Sequence, residues 1–147
     1  MSNNHVKHTL EIMVAVLFII IGGAIYLLFR PKSLLVFEWV DSCGIGQLVD
    51  YARQRVSDVK PRDFIVFNLP NALWTISYLL SVNALIESRR LKLVVAILLP
   101  AFAIILEFCQ MIGVINGTFD VIDLGCYLLP LVIYLIIYKF TLYEEIS

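Results

Sequence analysis

The sequence predicts an all-α integral membrane protein, a four-helix bundle with a short amphipathic interfacial helix between the first and second spans. Three observations carry this. Charged residues make up 16% of the 147-residue chain and hydrophobic residues 61%, with a mean hydropathy of +0.89, whereas a soluble domain is about a quarter charged. Four apolar stretches are each long enough to cross ~30 Å of hydrocarbon at a rise of ~1.5 Å per residue. Backbone groups in lipid must be satisfied internally, so each stretch is expected to be a helix. One transmembrane domain then takes up residues 1–147, with no room for a separate soluble domain.

The first span is expected over Leu10 to Phe29. It follows "MSNNHVKHTLE", which has one Lys, and it runs on without a small-residue cleavage site, as an uncleaved first span would. His5 and His8 in that tail are expected to be a surface pair, and Gly22 and Gly23 suggest close packing against another helix.

The sizeable connection runs from Arg30 to Asp63. Its "SLLVFEWV" is apolar and aromatic but eight residues long, which suits the membrane interface with Trp39 as an anchor. In "GIGQLVDYARQRVSDVKP", Ile45, Leu48, Val49, Ala52 and Val56 fall at helical spacing, and Asp50, Arg53, Arg55 and Asp58 fill the other side. A short amphipathic helix, ended by Pro61, is expected there.

The second span, Phe64 to Ile86, carries Asn68, Asn71, Thr75 and Tyr78 on one face and Pro70 in its first turns, where a kink is expected. Asparagines at this depth want interhelical partners. The third span, Leu91 to Gly113, has the small stripe Ala96, Pro100 and Ala103 leading to Glu107 and Gln110. Glu107 lies near the helix C-terminus and opposes the macrodipole, so it needs a proton or a partner. An ionisable group in a span is a functional candidate by default; its bland alternative is a protonated acid making one interhelical bond.

The fourth span, Phe119 to Phe140, opens with "GTFDVID". Asp120 and Asp123 suit N-terminal capping and the positive end of the dipole. With Tyr127, Pro130 and Tyr134 they also continue one polar and aromatic stripe inward, which keeps a functional role open for Asp123 above all. No Lys or Arg occurs from Leu93 to Tyr138, so a counter-charge for the three acids must come from elsewhere. Arg62 is the candidate, with Arg30 or Arg55 as substitutes.

"ESRRLK" packs three cations between the second and third spans while "VINGTF" has none, which favours both termini inside and the acids on the extracytoplasmic side. The net charge of -1 offers no basic footprint for nucleic acid. The three cysteines show no CxxC or zinc spacing. Neither a metal site nor a cofactor is expected, and no Gly-rich phosphate loop, Ser/His/Asp set or HExxH occurs. Asn116-Gly117-Thr118 fits a glycosylation sequon in a hairpin too short to use it.

"EFCQ", followed after a short hairpin by "GTFDVIDLGCYLLP", resembles the VanZ-like membrane proteins of bacteria. That family has a Glu-x-x-Gln near the end of one span and an Asp-rich opening to the next. The resemblance covers Glu107 to Pro130, although the hairpin here lacks the family's usual Arg and "DLGCY" lacks an Asn before its Gly. It implies a bacterial envelope protein, associated in some members with resistance to glycopeptides such as teicoplanin, and it carries over Glu107, Gln110, Asp120 and Asp123.

The expected ligand-binding residues are thus Glu107, Gln110, Asp120, Asp123, Asn68 and Arg62, which would hold an envelope lipid or amphiphile at the outer side of the inner membrane. A rival expectation is a structural or regulatory subunit, with residues 30–63 docking a partner protein or a second copy. A third is an oligomer passing protons or cations along the Glu107 to Tyr134 stripe, or a divalent cation held there by oxygen ligands. Catalysis has no nucleophile to name.

Overall fold

A computed structural model describes the backbone of residues 2–144 and the side chains of residues 5–140. Among the described residues the order is α1 (Ser2–Phe29), α2 (Leu35–Ser42), α3 (Gly46–Arg55), a π-helical turn (Phe64–Asn68), α4 (Leu69–Leu85), α5 (Arg89–Met111) and α6 (Val121–Glu144). Four helices are long and apolar enough to span: His5–Phe29, Phe64–Leu85, Arg89–Met111 and Val121–Phe140. The chain is a multi-pass, all-α membrane protein.

α1 packs along α4, α4 packs against α6 and α5, and α5 packs against α6. The α1–α4 seam is close because small residues line it. Ala15 is buried, the Ser77 hydroxyl donates to the Ala15 carbonyl at 2.8 Å, and Trp74 lies over Gly22. A Cβ on Gly22 would stand 2.5 Å from Trp74 Nε1, whereas one on Gly23 would meet nothing within 4 Å. Of the two glycines, then, Gly22 alone makes the expected close approach. On the other side of α4, Leu79, Val82, Ala96 and Leu131 form the core among α4, α5 and α6. The stripe Ala96, Pro100 and Glu107 is buried, as small residues leading to a shielded acid require.

Two local departures from simple helix geometry matter. Pro70 has no N–H for the carbonyl four residues back, and its ring crowds that carbonyl. The chain answers with the π turn before it, closed by the Leu69 N–H on the Phe64 carbonyl. α1 also begins at Ser2, so His5 and His8 lie on a helix and not in a loose tail.

The connection folds as two helices. In α2, Phe37 and Val40 are buried and Trp39 is exposed. α3 keeps part of its expected amphipathic face, with Val49, Ala52 and Val56 half-buried, but Ile45 and Leu48 are exposed and Arg53 turns inward. Arg53 donates to the carbonyls of Leu27 (2.6 Å) and Arg30 (3.0 Å) and lies over the Phe37 ring. α1 has no basic residue in its last turn, and its final carbonyls have no intrahelical donors. A cation brought by α3 meets that need and the negative end of the α1 dipole.

Candidate functional site: an acidic amide-bridged cluster

Alternating helix direction brings the N-termini of α4 and α6 and the C-terminus of α5 to one end of the molecule. α6 is capped there by Asp120. Its Oδ1 accepts the Ile122 N–H at 2.8 Å, and its carbonyl accepts the Leu124 N–H at 3.1 Å. In a capping box the acid at the third helical position would reach back to the cap residue's own N–H. Here that acid is Asp123, and the bond is made from another helix: Glu107 Oε2 accepts the Asp120 N–H at 3.3 Å. Glu107 is thereby tied to the positive end of α6, which offsets the unfavourable dipole of its own helix. Since α5 ends at Met111, Glu107 stands about one turn from that terminus.

Relieved of the cap, Asp123 faces α4. Asn68 Nδ2 donates to Asp120 Oδ2 and to Asp123 Oδ1, both at 2.9 Å. Asn71 Nδ2 donates to the same Asp123 oxygen at 2.8 Å. The π turn ends on Asn68, which places that residue at the junction with α4, one helical turn before Asn71. Such turns recur at functional sites. Asn68 is 3% exposed and Glu107 7%, while Asp120, Asp123 and Asn71 are half-buried at the rim. Thr75 turns its hydroxyl back to the Asn71 carbonyl at 2.8 Å.

The remaining expected residues fall elsewhere. Gln110 packs against the hairpin, where Gly117 has φ +149° and a Cβ would stand 2.6 Å from Gln110 Cδ. Arg62 is exposed, and among the described residues no ion pair joins it to the acids. Arg55 bonds Tyr51 instead. Arg30 comes nearer the cluster. Its guanidinium sits over the Phe67 ring at 4.8 Å, next in sequence to Asn68. Among the described residues no group of three or more His, Cys, Asp and Glu is disposed to hold a metal ion.

The stripe below the cluster faces the protein interior through Tyr127, Pro130 and Tyr134, and the buried Tyr134 hydroxyl has no hydrogen-bond partner among the described residues. At the opposite end lies a second polar set that sequence reasoning passed over. Asn83 Nδ2 donates to Glu11 Oε1 at 2.8 Å, His8 meets Glu11 Oε2 at 3.2 Å, and Lys92 Nζ donates to the Asn83 carbonyl at 2.9 Å. The signal was present: an Asn inside an apolar span calls for a partner, and Glu11 stands at the same depth in the first span.

Chemically, three carboxylates share one end of the molecule with two amides. Neutral donors lower the cost of burying them but do not neutralise them. The arrangement offers acceptor lone pairs to a proton, a cation or a hydroxyl-bearing headgroup. No family model, curated protein or solved structure matches the chain.

Proposed function

We propose that this chain is a small envelope protein of the bacterial inner membrane, VanZ-like, which binds an envelope lipid or other amphiphile at the acidic cluster. Both termini would lie in the cytoplasm and the cluster near the extracytoplasmic side, as the "ESRRLK" hairpin favours. The observation that carries the proposal is the gathering of Asp120 and Asp123 on the Asn68 and Asn71 amides, with Glu107 on the Asp120 N–H, and without an ion-paired base among the described residues. Unpaired carboxylates at membrane depth are costly and persist where function uses them. A ligand with hydroxyl or ammonium donors would supply what the protein withholds. No catalytic step is assigned.

The test is the teicoplanin susceptibility of cells carrying Glu107→Gln or Asp123→Asn, scored against membrane levels of the protein. Both substitutions keep shape and hydrogen-bonding capacity but remove charge, so loss of the phenotype at normal abundance is expected. An unchanged phenotype in both variants sinks the proposal.

A second reading has its own support, because every amide proton donated at the cluster meets a carboxylate or a carbonyl. On it the acids are interhelical glue in a structural or regulatory subunit, and residues 30–63 dock a partner protein. Copurification of a second protein from mild detergent, lost when the connection is altered but not in Glu107→Gln, would favour this reading over ligand binding.

A further inference from the structure

The α1–α4 seam holds an open groove of about 400 Å³ lined by Ile19, Trp74, Ser77, Tyr78 and Ser81. Its hydroxyls are already committed. Ser77 bonds the Ala15 carbonyl at 2.8 Å, Ser81 bonds the Ser77 carbonyl at 2.9 Å, and Tyr78 bonds the Val95 carbonyl. What remains to line the groove is hydrocarbon and the Trp74 indole, so its occupant must be apolar. The volume suits a small ligand or a chain rather than a helix of ~10–12 Å diameter.

A line of contacts leads from this groove to a cation. Trp74 lies against Tyr26 with ring centroids 5.6 Å apart, and the Arg30 guanidinium sits 5.1 Å from the Tyr26 centroid and 4.8 Å from that of Phe67. Arg30 Nε is buried and has no hydrogen-bond partner among the described residues. Nearby cations are otherwise engaged: Arg53 is held on the α1 carbonyls and Lys32 is paired with Asp50. The two rings fix a guanidinium plane, and a fixed guanidinium is the side chain best matched to a phosphate.

We propose that the α1–α4 seam is a binding site for a phosphate-bearing anionic membrane lipid, with one acyl chain in the groove and the phosphate on Arg30. Arg30 lies beside the acidic cluster but forms no ion pair with it among the described residues, and the test reads lipid binding at Trp74 rather than the function proposed for the acids.

Trp39 and Trp74 are the chain's two tryptophans, and Trp39 is exposed on α2. Trp39→Phe therefore leaves Trp74, in the groove wall, as the sole reporter. This protein would be reconstituted in phosphatidylcholine vesicles containing a small, equal fraction of either brominated-chain phosphatidylglycerol or brominated-chain phosphatidylcholine, and Trp74 quenching read. The expected result is an apparent affinity about fivefold higher for the phosphatidylglycerol, the equivalent of ~1 kcal/mol for one cation at an anionic headgroup. Arg30→Gln should bring the two lipids level, and Arg30→Lys should retain most of the preference. Equal quenching by both lipids with Arg30 in place would overturn the proposal, as would a preference that survives Arg30→Gln. Trp74 unquenched by either lipid would overturn it too, since a protein surface would then fill the groove.

Discussion

Asn68 carries more of the acidic cluster than any other uncharged side chain. Its amide bridges Asp120 and Asp123, whereas Asn71 reaches Asp123 alone. Hydrogen bonds to charged groups contribute ~1.5–3 kcal/mol in water-soluble proteins, and interhelical bonds in membranes average nearer ~0.6 kcal/mol. Asn68→Ala should therefore lower unfolding free energy by about 2 kcal/mol and Asn71→Ala by about 1 kcal/mol, measured by titrating the purified protein from mild detergent into denaturing detergent. A loss at Asn71 equal to or larger than that at Asn68 would show that the bridge is not the main link. The same residues show what was legible beforehand. A buried Asn announces that it wants a partner, but the partner's identity depends on which helix packs against that face and at what depth.

Among elements, the α1–α4 seam depends on one glycine. Gly22 gives Trp74 its place, while Gly23 points into open space. Gly22→Val should separate α1 from α4 and lower stability by about 1–3 kcal/mol, as overpacking does. Gly23→Ala should be neutral or stabilising by up to ~1 kcal/mol, because alanine suits a helix better than glycine. Thermal unfolding in detergent distinguishes them, and equal effects would mean that the seam is not set by Gly22. The pair was visible in sequence as a packing signal, yet adjacent helical positions lie ~100° apart and only one can face a given neighbour. α3 makes a similar point. Its periodicity announced a helix, but the demand of the α1 carbonyls for a cation outweighed the pattern and brought Arg53 inward.

For the molecule as a whole, orientation is the property that decides which compartment meets the acidic cluster. Cys43 is exposed in the connection at the same end, Cys109 is half-buried in α5 and Cys126 is buried in α6. A variant keeping only Cys43, made by Cys109→Ala and Cys126→Ala, should be labelled by a membrane-impermeant maleimide added to intact spheroplasts. Labelling confined to inside-out vesicles would reverse the topology and place the cluster in the cytoplasm. The opposite end, with Glu11, Asn83 and Lys92 in one polar set, would then exchange sides with it.

Composition and run length alone determined that this chain is an all-α membrane protein with four spans, because lipid leaves an apolar backbone few alternatives. They also singled out Glu107, Asp120 and Asp123, since charges in a span are rare enough to stand out. Which groups meet those acids was decided by tertiary structure. Contacts between helices depend on rotational phase and depth, which spacing within one helix does not fix. Arg62 precedes the second span in sequence but lies exposed, while Arg30, far off in the chain, is held over Phe67 beside the cluster.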